Sequence, residues 1–141
     1  MGGESKMTQE KQTALNEIEK KKELICKTAD HIWSHPELSL QEDQSAEYYC
    51  SVLENEGFEI ERGICGIRTA FSASFGKGSP KIGILAEYDA LSGLSQEAGS
   101  LEQKEIVPGG CGHGCGHNLL GAGSFGAVLG VKAYLEETGH D

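Results

Sequence analysis

Apolar positions follow two periods along this chain. From Thr8 to about Ser34, the residues Ala14, Leu15, Ile18, Ile25, Ala29, Ile32 and Trp33 fall near one face with charges between them. That is the 3.6-residue period of an amphipathic helix. His35-Pro36 ends it, because a residue before proline is pushed out of the helical region. Ser39-Leu40-Gln41-Glu42 reads as a capping box, with Ser39 at the N-cap and Glu42 at N3. It predicts a second helix that turns Ala46, Tyr49, Val52 and Leu53 inward and closes at Gly57. Period two then takes over. Phe58 to Glu61 and Arg68 to Phe75 alternate as half-buried strands do, and Gly76-Lys77-Gly78-Ser79-Pro80 is a turn. Lys81 to Tyr88, with Ile82, Ile84, Leu85 and Ala86, is the strongest strand candidate and is predicted to be central. A polar loop over Ser92 to Glu105 leads to a third helix, from Asn118 to about Glu137. Helix, helix, strands, loop, helix predicts an α/β layer arrangement. Residues 1–7 read as a disordered N-terminus, and 8–141 as one domain at most.

Charge narrows the partners. The 141 residues carry 12 basic and 22 acidic side chains, a net charge of −10. That argues against nucleic acid or an anionic membrane surface. The longest apolar run, Leu119 to Val131, is too short and glycine-rich to span a bilayer. Five cysteines, an odd number, and an N-terminus without an apolar signal core fit a reducing cytoplasm.

The densest chemistry lies in Cys111-Gly112-His113-Gly114-Cys115-Gly116-His117. Thiolate and imidazole are common zinc ligands, and the intervening glycines let a loop fold tightly. From Ile106 to Val131 there is no Asp, Glu, Lys or Arg, which suggests burial. Structural zinc sites usually draw ligand pairs from separate elements, so one pair is expected to bind and the other ligands to come from elsewhere. Cys115 and His117, at the start of the third helix, are the better pair. The competing reading is a glycine loop whose Cys and His merely pack. A non-catalytic metal or redox module is a third.

Two carboxylates, Glu87 and Asp89, close the predicted central strand, the edge where open α/β sheets bind ligands. One side chain is expected toward each strand face, so that one meets the later loop. A carboxylate commonly accepts the second ring N–H of a ligating histidine. Gly121-Ala122-Gly123-Ser124-Phe125-Gly126 matches G-x-G-x-x-G. No strand precedes it directly, so close helix packing is the better account than a nucleotide.

These residues also form a recognisable set. His35-Pro36-Glu37-Leu38 with Glu42, Glu54-Asn55-Glu56-Gly57-Phe58, and Thr69-Ala70-Phe71 resemble the N-terminal half of an M20-type metallopeptidase catalytic domain. Ala86-Glu87-Tyr88-Asp89-Ala90-Leu91 and Gly112-His113-Gly114-Cys115-Gly116-His117-Asn118-Leu119-Leu120-Gly121 resemble its amidohydrolase branch. The resemblance implies part of a zinc-exopeptidase-like domain, a mixed sheet flanked by helices, without the family's lid domain. It implies hydrolysis of amide bonds in N-acyl amino acids or dipeptides of the aminobenzoyl-glutamate type. Two divalent ions, zinc or manganese, would act as Lewis acids. It makes Cys115 and His117 metal ligands and Asp89 the support of a metal-bound histidine, and leaves Glu87 without a fixed role. Full-length relatives are expected to be homodimers or hetero-oligomers. Ser92 and Cys111 depart from the pattern. The family's Glu-Glu pair, later His ligands and lid are expected beyond the third helix, which reads as a fragment inactive alone.

Overall fold

The computed structural model describes residues 8–140; the expectation for residues 1–7 lies outside them. The elements are helices α1 (Gln9–Lys20), α2 (Lys22–Ser34) and α3 (Asp43–Asn55), strands β1 (Glu59–Arg62) and β2 (Phe71–Ser74), and helix α4 (His117–Thr138). Helix and strand are combined in a partial α/β domain, as the element order predicts. No helix among the described residues is long and apolar enough to cross a membrane.

The single helix that periodicity predicts over 8–34 is two helices. They meet at Lys21, whose φ of −92° and ψ of 4° interrupt the helical path. Its ammonium reaches both oxygens of Glu56, 2.7 Å away at the end of α3. This contact spans 35 residues, and no local pattern announces it.

The capping box also fails. Helix α3 starts at Asp43, not after Ser39, and Leu40 takes a left-handed φ of 68°. Glu42 is buried, accepting from Leu40 N at 2.9 Å and from the Thr69 hydroxyl at 2.7 Å. Glu37 caps the helix instead. Its carboxylate accepts from the backbone N–H groups of Gln44 at 3.0 Å and Ser45 at 2.9 Å. Those are two of the donors a helix N-terminus leaves without an intrahelical partner. Gly57, with φ of 86°, follows the end of α3 as predicted.

Strands β1 and β2 form an antiparallel ribbon, with Glu59 opposite Ser74 and Arg62 opposite Phe71. The predicted central strand does not form. Residues 81–89 have no ladder partner among the described residues, and Ile82 and Leu85 are 85% and 90% exposed. Only single bridges follow: Leu38 to Ala90, parallel, and Leu91 to Gly112, antiparallel. A strand's backbone groups need a neighbouring strand, so an apolar run is not enough to make one.

The core gathers Tyr49, Val52 and Leu53 of α3 with Phe58 and with Phe125 and Leu129 of α4. Tyr49 donates to the Gly121 carbonyl and meets Phe71, Tyr88 and Phe125 edge-on, a favoured aromatic geometry. Helix α4 packs closely on α1 and α2 through its glycines. A Cβ at Gly126 would lie 3.1 Å from Ile25, and one at Gly130 3.0 Å from Ile18 and 3.1 Å from the Ala14 carbonyl oxygen. The G-x-G-x-x-G run is thus part of a helix-packing face, as the sequence context suggests, though its main neighbours are helices rather than a sheet.

Candidate metal centre

The glycine–cysteine–histidine loop is held by its main chain. Leu91 and Gly112 exchange two backbone hydrogen bonds, at 3.0 and 2.9 Å, and Ser95 N donates to Gly110 O at 3.1 Å. Only glycine fits at 112, because a Cβ there would lie 2.0 Å from the Leu94 carbonyl oxygen. Gly116, with φ of 81°, turns the chain into α4, so His117 opens that helix.

The four potential ligands of the heptapeptide point to different places. Cys111 donates its thiol to the Pro36 carbonyl at 2.9 Å. His113 is buried beside Trp33, with Nε2 3.0 Å from the Ile32 carbonyl. Its Nδ1 has no partner among the described residues. Burial and the neighbouring His117 hold its pKa below the ordinary imidazole value, against the opposing Ile32 hydrogen bond and Asp89. His113 and Cys111 also wall a cavity of about 470 Å³, with Trp33, Pro36, Ile106 and Val107. Cys115 is exposed. All five cysteines are unpaired.

His117 meets the two carboxylates. Its Nδ1 lies 2.7 Å from Asp89 Oδ1, and its Nε2 lies 3.2 Å from Glu87 Oε2. Glu87, Asp89 and His117 each offer a donor atom, and these lie within 4.8 Å of one another. Cys115 is not part of this group. The expectation that Glu87 and Asp89 face opposite ways is overturned, since both reach one imidazole. Side chains alternate along an extended segment, so residues two apart share a side, and the two ring nitrogens offer each carboxylate its own edge. The Asp89–His117 approach predicted from the sequence is present. Glu87's place beside Nε2 accords with that two-residue period.

Backbone contacts fix this arrangement. Ala90 N donates to Glu37 O at 2.7 Å. The Glu87 carbonyl packs on Gly121 of α4, where a Cβ would come within 3.0 Å of it. Ser124 of the same helix donates to the Leu85 carbonyl at 2.7 Å. Helix α4 therefore carries His117 and also seats the segment bearing both carboxylates.

The donor chemistry suits a divalent cation. With an aspartate accepting from Nδ1–H, the imidazole is held as the tautomer whose Nε2 lone pair can bind a metal. The side chains of His117 and Asp89 are about four-fifths shielded, while that of Glu87 is 59% exposed. The site thus has a fixed inner wall and an open outer one.

No protein-family model matches the chain. Individual proteins do. A p-aminobenzoyl-glutamate hydrolase subunit of Escherichia coli (strain K12) is 49% identical over 122 residues, covering 86% of this chain and 25% of that protein. Putative amidohydrolase YhaA of Bacillus subtilis (strain 168) is 29% identical over 111 residues, 79% of this chain and 26% of that one. Xaa-Arg dipeptidase of Mus musculus is 29% identical over 136 residues, 89% of this chain and 28% of that one. The chain spans about a quarter of the length of these curated relatives. With its two motifs in order and Asp89 against His117, the chain belongs to the M20-type amidohydrolase family.

Proposed function

We propose that this chain supplies one side of a divalent-metal site for hydrolysis of amide bonds in N-acyl amino acids or dipeptides, of the aminobenzoyl-glutamate type. The observation that carries the reading is the 2.7 Å contact between His117 Nδ1 and Asp89 Oδ1. It is the contact a ligating histidine makes to a carboxylate behind it. His117 would hold zinc or manganese through Nε2, and Cys115 would contribute a thiolate from the adjacent turn. Asp89 orients the ring and keeps its proton on Nδ1. When bound, such a cation supplies Lewis-acid polarisation of the amide carbonyl and of the attacking water. The 49% identical relative, named for p-aminobenzoyl-glutamate hydrolysis, supports the substrate class.

The general base is a separate matter. Glu136-Glu137 is the one adjacent Glu pair in the chain. It sits near the far end of α4, which runs unbroken from His117 to Thr138. Nineteen residues at 1.5 Å each place it roughly 28 Å away, whereas a base must act within about 3 Å. The 141 residues alone are therefore expected to bind a cation and to lack turnover.

Two measurements test this. Calorimetric titration of zinc should show binding that weakens at low pH and is lost in the Cys115→Ser, His117→Ala double variant. Equal affinity in both proteins removes these residues from the site. Chelator-sensitive hydrolysis of p-aminobenzoyl-glutamate by the chain alone would refute the inactivity.

A further inference from the structure

We propose that the cavity between the end of α2 and the 95–113 segment binds a neutral aromatic molecule that carries an N–H donor. The site is separate from the metal-site reading above, since neither His117 nor either carboxylate lines it.

Its size and walls fit a small ligand. The cavity holds about 470 Å³, and ligand pockets run roughly 300–1,000 Å³ with apolar walls and a few placed polar groups. Trp33 and His113 contribute two rings, 6.2 Å apart and tilted by 31°. Pro36, Ile106 and Val107 add aliphatic surface. Ile106 and Val107 are nevertheless 65% and 58% exposed. A planar ring laid against this wall would shield part of that surface and meet other rings at favoured angles.

The cavity is already framed by the chain. Val107 N donates to the Ser95 hydroxyl at 3.0 Å, Lys104 N to Gln96 Oε1 at 3.0 Å, and Gln96 Nε2 to the Glu102 carbonyl at 2.9 Å. The Cys111 thiol is tied to Pro36 and the Ser34 hydroxyl to Asp30. His113 is the exception. It is 4% exposed, and its Nδ1 has no partner among the described residues. Its Nε2 meets the Ile32 carbonyl, which can only accept, so Nε2 carries the ring proton. In the neutral ring Nδ1 is then an acceptor without a donor, which is costly when buried. A ligand N–H brought along this wall would supply that donor.

Charge excludes other classes. No Asp, Glu, Lys or Arg lines the cavity. A charged ligand would leave water without meeting a counter-charge. An anion would also face a chain of net charge −10.

Three probes of similar shape separate these features. Benzamide is neutral with N–H donors, methyl benzoate is neutral without one, and benzoate is an anion. Each is titrated into the 141-residue chain at about pH 8, above the ordinary imidazole range. Trp33 is the single tryptophan, so its indole N–H gives one resonance in a nitrogen-correlated NMR spectrum and reports on the cavity wall. Benzamide is expected to shift that resonance saturably. It should bind at least about fivefold more tightly than the other two, the factor that one hydrogen bond to a buried acceptor supplies. The Ile106→Ala, Val107→Ala double variant should weaken benzamide by lost apolar contact. Both side chains are exposed, so its fold should be kept, which circular dichroism checks. His113→Phe, where it folds, should erase the advantage of benzamide over methyl benzoate. No saturable shift of Trp33 with benzamide would overturn the site. Equal affinity for all three probes would overturn the selection for a neutral donor. Unchanged benzamide binding in the double variant would put the probe outside this cavity and overturn the assignment. None of these results depends on zinc binding, so the metal-site reading stands or falls separately.

Discussion

Two apolar-rich stretches of the chain, residues 81–88 and 119–131, end in opposite states. In the second, Gly121, Ala122, Phe125, Gly126, Leu129 and Gly130 are buried within one helix. In the first, Ile82 and Leu85 stand in solvent and the backbone has no ladder. The difference is where the backbone hydrogen bonds go. A helix satisfies its own N–H and C=O groups and needs only a surface to pack on. An extended segment depends on a neighbouring strand for the same groups. Hydrophobicity alone therefore predicts the helix well and the strand badly.

The contrast can be broken at its strongest point first. Phe125 has no exposed surface and sits edge-on to Tyr49. Phe125→Ala is expected to cost about 3–5 kcal/mol by cavity formation and lost transfer energy. Leu85→Ala, by the same reasoning, should stay within about 0.5 kcal/mol. Urea denaturation of both variants measures the pair. Comparable losses would mean that the extended segment is packed as firmly as the helix.

A smaller effect is expected where the two carboxylates near α3 exchanged roles. Burial opposes ionisation of Glu37, but hydrogen bonds from Ser45 and Gln44 outweigh it and hold its pKa below the ordinary value of 4.5. Its contribution is therefore present above pH 4.5 and lost as pH falls through the lower folded value. Glu37→Ala should cost about 1 kcal/mol at neutral pH, the usual worth of a helix N-cap. Ser39→Ala should cost much less, because Ser39 caps nothing. Denaturation midpoints of the two variants rank them, and the reverse order would restore the capping box.

The smallest effect is one of pH. His31 is stacked between Tyr48 and His35. Burial, then the neighbouring His35, lower its pKa below 6.5, with Glu37 opposing. The unfolded chain thus takes up the proton more readily. Stability from this group is full above pH 6.5 and declines as pH falls below it. His31→Phe, which retains a stacking ring, should flatten part of that decline in thermal melts between pH 7 and 5, roughly the window below the imidazole range. Some slope should remain, because His113 is shifted the same way. An unchanged slope would show that His31 is not the source.

The site divides in the same manner as the fold. Cys115 and His117 stood out as a donor pair at the start of a helix, while Asp89 was set apart from Glu87 only by the resemblance to the amidohydrolase branch. The approach of Asp89 to His117 followed from one expectation, that a ligating histidine needs a carboxylate behind it. The positions of Cys111 and His113 did not follow. Each depends on contacts from distant parts of the chain: Pro36 against Cys111, Ile32 against His113.

Residue order was enough, then, to specify the helices, the acidic character and the donor-rich loop. These rest on local period, charge and residue chemistry, which neighbours of a few residues suffice to express. Long-range packing settled the break at Lys21 and the fate of residues 81–88. It also selected which of four candidate ligands meets two carboxylates. Each is a contact between residues far apart in the chain, and its free energy exists only once the core of Tyr49, Phe58 and Phe125 has brought them together.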